Sequence, residues 1–275
     1  MRRFIIIFTV IIVLVTCAYP AAAEETHECI RLPIVMYHHM SPKEKLWGDY
    51  VLEVDQFERD LFYLKQNGYE SVTVNDLLNW CGGQGELPEK PVMITFDDGF
   101  ESTWEYAVPL LEKYGMKGVV SIIGCTAQQY TDSPDHNMDY SHMSWEKVAE
   151  ASKGSILEVQ CHTWNMHHLY PRKGCSKMSC ETPGEYRAAL CEDIESFQDK
   201  LCAYTGRHAN ALALPFGAYV LDTLQFAGEL GFDAVLTCTE KVNYLTGSVS
   251  ELMELGRYNR PSGLSSEKFF SKWEE

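Results

Sequence analysis

The chain reads as a single α/β domain of barrel-like type, and three observations point there. A helix, a glycine stop and a short apolar run recur three times along the sequence. Several strand-like apolar runs end on residues that carry chemistry, not on plain turns. After an N-terminal leader about 250 residues remain, enough for one large domain with a full core, and no linker or low-complexity segment divides them.

The leader comes first. Arg2 and Arg3 precede an apolar run from Phe4 to Val15, and Ala21-Ala22-Ala23 gives small residues for cleavage. This is the pattern of a secretory signal peptide over residues 1–23, leaving 24–275 as the domain. A rival reading takes Leu14-Val15-Thr16-Cys17 as a lipoprotein box, although Thr16 is a poor residue before such a cysteine. The apolar run is short for a membrane span. The expected location is secreted or cell-surface associated, with membrane contact only if the segment is retained or lipidated.

The elements then follow in order. Ile34-Val35-Met36-Tyr37 is the first strand. Phe57, Leu61 and Leu64 mark a helix stopped by Gly68 before Ser71-Val72-Thr73-Val74. Pro91-Val92-Met93-Ile94 leads into Thr95-Phe96-Asp97-Asp98-Gly99. A helix from Tyr106 to Tyr114 and Gly115 precede Val119-Val120-Ser121-Ile122-Ile123. Thr126 to Met143 is polar and reads as a surface loop before a helix capped by Ser144. Ile156-Leu157-Glu158-Val159 runs toward His162, and Gly174 to Gly184 reads as another loop. A long helix covers Glu185 to Tyr204, then Ala211-Leu212-Ala213-Leu214 forms a strand. Leu221 to Leu230, Gly231 and Ala234-Val235-Leu236-Thr237 repeat the helix–glycine–strand unit, and Leu252 to Tyr258 is the last strand. Glycine after a last helical turn is the left-handed cap. Helix then strand, repeated, is the mark of a parallel sheet with helical crossovers, and about seven or eight strands suit a barrel.

Composition excludes some partners. The formal charge is −16, and removing Arg2 and Arg3 with the leader makes it −18. Nucleic acid and an anionic bilayer surface are therefore poor partners, and a neutral glycan or an external cation fits better. Nine cysteines remain after Cys17, an odd count that leaves at least one thiol. Cys175 and Cys180 are close enough in a polar loop to be bridged. No CxxC pair occurs, so a structural zinc cluster is not expected.

Catalytic groups in such folds collect at the C-terminal ends of strands. Asp97 and Asp98 fall there, as do His162, the His38-His39 pair and Pro215-Phe216-Gly217. A carboxylate from Asp98 with imidazoles from His162 and His167 makes three protein ligands for a divalent metal and leaves a position open for water. Zinc is expected, with cobalt, nickel or iron as alternatives. Such a metal acidifies the water and polarises a carbonyl. Asp97, diverging from Asp98 in the turn, is free to take the proton. The backbone N–H of Phe216 is placed to hold an oxyanion. Trp164 and Tyr219 flank these motifs, either to stack on sugar rings or to serve as core.

Thr95 to Gly99, His162 to His167 and Leu214-Pro215-Phe216-Gly217 resemble successive motifs of the polysaccharide deacetylases, the nodulation-deacetylase-like carbohydrate esterases. Ile34 to His39 resembles the opening strand of many members. The resemblance spans about residues 33 to 258. It implies a distorted barrel of about seven β/α units and metal-dependent removal of acetyl groups from glycans. It also implies Asp97 as the general base and Asp98, His162 and His167 as ligands. The substrate would be an N-acetylated polysaccharide.

Three departures matter. Most members space the two histidines four apart, where this chain has Met166; the five-residue spacing to His167 resembles the poly-N-acetylglucosamine deacetylases. His168 is a rival ligand, less suited because adjacent side chains diverge. The usual arginine two residues before the proline is Ala213 here, so the base must find another cation. No histidine follows His208, so the family's late general acid is absent; His38 and His39, at a strand end on the same rim, are the two candidates for that role, and His38, directly after Tyr37, is taken for it. Arg257 lies near the last strand, either lining the rim or on the surface, and a surface position is expected for it. The same scaffold also admits a glycan-binding protein without turnover, or an O-acetyl esterase.

Overall fold

The computed structural model describes residues 29–273, so the leader, its cleavage point and Cys17 lie outside the described residues. The strands are β1 (Ile30–Leu32), β2 (Ile34–Tyr37), β3 (His39–Ser41), β4 (Val51–Glu53), β5 (Glu70–Ser71), β6 (Pro91–Phe96), β7 (Gly118–Ile122), β8 (Leu157–Cys161), β9 (Ala211–Ala213), β10 (Ala234–Leu236), β11 (Asn243–Leu245) and β12 (Tyr258–Asn259). The α-helices are α1 (Val54–Gln66), α2 (Val74–Cys81), α3 (Val108–Tyr114), α4 (Gly124–Asp132), α5 (Trp145–Ala151), α6 (Pro183–Thr205), α7 (Leu221–Glu229) and α8 (Ser266–Phe270).

One parallel sheet runs in the order β10-β9-β8-β7-β6-β2-β12, and β5 pairs with the start of β6. The sheet curls into a half-barrel, and the last segment touches both of its edges. Leu255 bridges Leu236 of β10, and Tyr258 and Asn259 pair with Val35 and Met36 of β2. This is the barrel-like parallel α/β architecture that the repeated helix–glycine–strand unit predicts, and it is of the (β/α)7 type that the family resemblance implies.

Side-chain alternation along the strands divides the core in two. Ile34, Met93, Val119, Ala211, Ala213, Ala234 and Leu236 pack into one buried cluster. Their strand neighbours Val35, Ile94, Val120, Leu212 and Val235 pack into another, which they share with α1, α5 and α6. The first set faces the inside of the curl. Following the inner register past the strand ends gives His38 after Met36, Asp97 after Thr95, His162 after Gln160 and Cys238 after Leu236. Period two thus delivers four chemistry-bearing side chains to one mouth. At the other end α2 packs Val74, Leu77 and Trp80 into the inner cluster. The Glu158 carboxylate accepts hydrogen bonds from Val74 N and Asn75 N, anchoring α2 under the strand starts.

Some elements differ from expectation. Ser71 to Val74 is not a strand throughout: β5 ends at Ser71 and α2 begins at Val74. A capping box sets this boundary, with Thr73 accepting from Asp76 N and Asp76 accepting from Thr73 N. The stretch Thr126 to Met143 is not all loop, since α4 runs to Asp132 and stops where Pro134 approaches. The helix before Gly115 opens with a π turn over Thr103–Ala107; Pro109, which has no N–H to donate back to that turn, follows it. Gly115 then caps α3 at φ 64°, where a side chain would be strained. Leu252 to Tyr258 is not a continuous strand, because Val249–Glu254 is a 3-10 turn and pairing resumes only at Leu255 and Tyr258. Cys175 is buried, Cys180 is exposed and both are free thiols, so they are not bridged.

Candidate active site

The three groups expected to hold a metal converge. Asp98 Oδ1 lies 3.3 Å from His162 Nε2 and 3.3 Å from His167 Nε2. One ligand atom from each residue falls within 4.8 Å of the others. Each side chain is set by the end of its strand. Asp98 follows β6, His162 follows β8, and the loop after His162 brings back His167. His168 points away, with Nε2 3.1 Å from Asn165 Oδ1.

The backbone is unusual at this spot. Asp98 (φ 70°), Thr163 (φ 69°) and Phe216 (φ 58°) are the non-glycine residues with positive φ among the described residues. They stand after β6, β8 and β9, around the same mouth. Each costs about 1–3 kcal/mol, and surrounding packing must hold it. For the second turn, Asp193 does so by accepting from Trp164 N and Asn165 N, both at 2.7 Å.

The donor set suits a divalent cation. His162 Nδ1–H donates to the Ala213 carbonyl at 2.8 Å, so its Nε2 lone pair faces Asp98. Asp98 Oδ1 is buried and has no hydrogen-bond partner. Two nitrogens and one hard oxygen around an unsatisfied atom match zinc and its neighbours. The electrostatics agree. Burial pushes the Asp98 carboxyl up, but His162, His38 and His167 together hold it well below the usual carboxylate range. Burial pulls His162 down, and the Asp97 and Asp98 carboxylates outweigh that and raise it. His167 stays below its ordinary value through burial and the nearby His162.

Asp97 does not share that site; it is gripped from another side. Arg257 Nη1 and Nη2 donate to its two oxygens at 2.7 and 2.8 Å. Arg257 is fully buried, so the surface position expected for it is wrong. The segment that joins the sheet edges carries it inward, where Nε donates to the Thr237 carbonyl and Nη1 to Thr95 Oγ1. The cation that Ala213 cannot supply thus comes from the residue just before the last strand. Burial pushes the Asp97 carboxyl up, but the Arg257 guanidinium and His162 outweigh it and keep the group ionised.

A cleft of about 820 Å³ opens over these groups, and His38, Asp97, Asp98, His162, His167 and Phe216 all line it. Burial lowers the His38 imidazole, while Asp97 and Asp98 act in the opposite direction. His39 is turned to Ser102, with Nδ1 2.8 Å from its hydroxyl. The Phe216 ring lies on His167 with centroids 4.4 Å apart. Neither aromatic singled out for stacking borders the cleft. Trp164 packs against Trp145 in the core, and Tyr219 donates to Glu254. Tyr50, Tyr140 and Cys238 line the cleft instead; no sequence signal marked the two tyrosines, and Cys238, at a strand end, reads from the sequence as a buried thiol. The inner register, counted on from Ala234, puts Cys238 on the cleft side.

Comparison with known proteins agrees with this geometry. The chain is 27% identical over 213 residues to YxkH of Bacillus subtilis (strain 168), a match covering 78% of this chain and 66% of that protein. It is 24% identical over 194 residues to the poly-beta-1,6-N-acetyl-D-glucosamine N-deacetylase of Escherichia coli (strain K12), covering 64% of this chain and 29% of that one. The chain therefore spans about two thirds of the first relative and under a third of the second. The fold matches a solved de-N-acetylase from Aggregatibacter actinomycetemcomitans with a TM-score of 0.74 at 19% identity, over 88% of this chain and 99% of that one. The polysaccharide deacetylase profile matches residues 84–235, a stretch that holds Asp97, Asp98, His162, His167 and Phe216 but neither His38 nor Arg257. With more than half of its length matched, the chain belongs to the polysaccharide deacetylase family.

Proposed function

We propose that this chain is an exported hydrolase that removes N-acetyl groups from a glycan of poly-N-acetylglucosamine, peptidoglycan or chitin type and releases acetate. The convergence of Asp98, His162 and His167 beside an ionised, arginine-held Asp97 carries the reading. The name of the Escherichia coli relative supports the glycan, and the leader pattern supports export.

Asp98, His162 and His167 would hold a divalent cation, zinc in the first instance, whose Lewis acidity activates water and the acetamide carbonyl. Asp97 accepts the proton of the attacking water. Arg257 fixes both carboxylate oxygens, so the base meets the water in one orientation. The Phe216 N–H donates to the oxygen on which charge develops. His38 delivers a proton to the departing nitrogen, so a neutral amino sugar leaves in place of an amide anion. The carbon–oxygen bond forms first and moves charge onto the carbonyl oxygen; as that charge returns, the carbon–nitrogen bond breaks onto the nitrogen protonated by His38, and acetate and a free amino sugar are the products.

The test is acetate release by the purified protein loaded with zinc, cobalt or nickel and supplied with N-acetylglucosamine oligomers. Release is expected with at least one metal. Its absence with every metal, on peptidoglycan and on a simple acetyl ester as well, would overturn the reading.

A further inference from the structure

A second buried ion pair lies behind the mouth of the cleft, on the outer side of the sheet. Arg260 Nε and Nη2 donate to the two oxygens of Asp60 at 2.8 and 2.9 Å, and both side chains are sealed from solvent. Three more donors reach the same carboxylate: Gln56 Nε2 at 3.0 Å, Ser266 Oγ at 2.7 Å and the Tyr37 hydroxyl at 3.1 Å. Arg260 also donates to the Pro261 and Leu264 carbonyls, and its guanidinium lies over the Phe269 ring. The network thus ties α1 and α8 to the ends of β2 and β12. An apolar pair of similar volume would serve stability as well or better, so stability alone does not account for it.

What the network holds is the backbone under His38. Tyr37 is the last residue of β2, and His38 follows it. Period two turns the Tyr37 ring outward, between Phe57 and Phe96, and turns His38 into the cleft. Burial and the Asp60 carboxylate push the Tyr37 phenol well above its ordinary value, so it keeps its proton and remains a donor. Beside it, Arg260 N donates to the Met36 carbonyl at 3.0 Å, which clamps the same strand end from β12. The imidazole has no comparable hold of its own. Among the described residues no hydrogen bond fixes the His38 ring, and its ring neighbour is the exposed Tyr50. The aim of His38 therefore depends on the strand end that carries it.

We propose that Tyr37 and the Asp60–Arg260 pair are positioning residues for the general acid: they fix the end of β2 so that the His38 imidazole meets the departing nitrogen. This rests on the reading of His38 as the acid and adds what aims it. A small misplacement of a catalytic group is enough to slow the step it serves.

The experiment compares an N-acetylglucosamine oligomer, whose amine must be protonated as it leaves, with 4-nitrophenyl acetate, whose phenolate need not be. Tyr37→Phe keeps the ring and removes only the hydroxyl. Arg260→Lys keeps the charge and loses the planar fork. In the zinc-loaded full chain each should lower kcat on the oligomer by about tenfold or more, with KM and the rate on the ester nearly unchanged. A merely structural loss would slow both substrates alike. The second readout needs no turnover. Diethyl pyrocarbonate modifies accessible imidazoles, and peptide mass spectrometry reads the rate at His38 against the exposed His208 of the same chain. That rate should rise severalfold in both variants. Equal losses on the two substrates, no loss on the oligomer, or an unchanged His38 rate overturns the positioning role. A faster His38 rate in a chain that releases no acetate from any substrate keeps the anchor and overturns the deacetylase reading.

Discussion

Arg257 and Asp97 face each other through two parallel hydrogen bonds of 2.7 and 2.8 Å; the arginine is sealed from solvent and the carboxylate is buried except where it borders the cleft. Such a pair is strongly destabilising to break because one buried charge is then left alone, at about 3–5 kcal/mol. Arg257→Met should therefore lose stability on that scale and nearly all turnover. The double variant Arg257→Met with Asp97→Asn should regain much of the stability and none of the turnover. Arg257→Lys keeps the charge but not the planar fork, so it should fold and turn over poorly. Denaturant unfolding and acetate release read these outcomes. An Arg257→Met protein of wild-type stability and rate would remove the pair from both roles.

The two adjacent carboxylates should separate on metal content. Asp98→Asn removes a hard ligand beside two imidazoles and should lower bound zinc steeply. Asp97→Asn, outside that cluster, should keep the metal and lose turnover. Equal metal loss in both would mean that the roles are shared and not divided.

His38 should matter in proportion to the leaving group. An amine must be protonated as it departs, while an activated phenolate need not be. His38→Ala should thus depress release from N-acetyl sugars by about 10²–10⁴-fold and release from 4-nitrophenyl acetate far less. Equal loss on both substrates would make His38 a binding or structural residue.

Much of this site was legible in the chain. The pair Asp97-Asp98 stands at the end of an apolar run, and His162 does the same one motif later. Strand periodicity alone puts such ends at one mouth. Arg257 was not legible because its partner lies 160 residues away and a buried arginine reads like a surface one. Only the closure of the sheet by Leu255 to Asn259 turns it inward. Tyr50 and Tyr140 were missed for a similar reason. They sit on irregular segments whose approach to the cleft is set by tertiary contacts such as Lys43 with Asp139.

Stability should fall in mild acid. Burial pushes the His142 imidazole down to about 4, against about 6.5 in an unfolded chain. Between these values the unfolded chain binds a proton that the folded protein refuses. Stability is then full above about pH 6.5 and is lost as pH falls toward 4, by about 3 kcal/mol at most from this group. His39, lowered by the same burial, adds in the same direction. Unfolding midpoints across that window should drop, and His142→Gln should flatten the slope. An unchanged slope in the variant would place the acid sensitivity elsewhere.

Phe216 offers the sharpest separation of backbone from side chain. Its φ of 58° lies in the left-handed region, and its ring covers His167. Phe216→Gly keeps the N–H and adopts that φ without strain, so it should lose only the ring contact and retain most turnover. Phe216→Pro removes the N–H and fixes φ near −65°, so it forfeits the proposed oxyanion donor as well as the local turn. A loss of one such donor is worth about 10²–10³ in kcat. The backbone assignment therefore requires the proline variant to fall at least that far in kcat while the glycine variant moves mainly in KM. The two share the loss of the ring, so any gap between them belongs to the main chain. If glycine and proline fall together in kcat, the ring over His167 is the active element, and the oxyanion must be held by another donor.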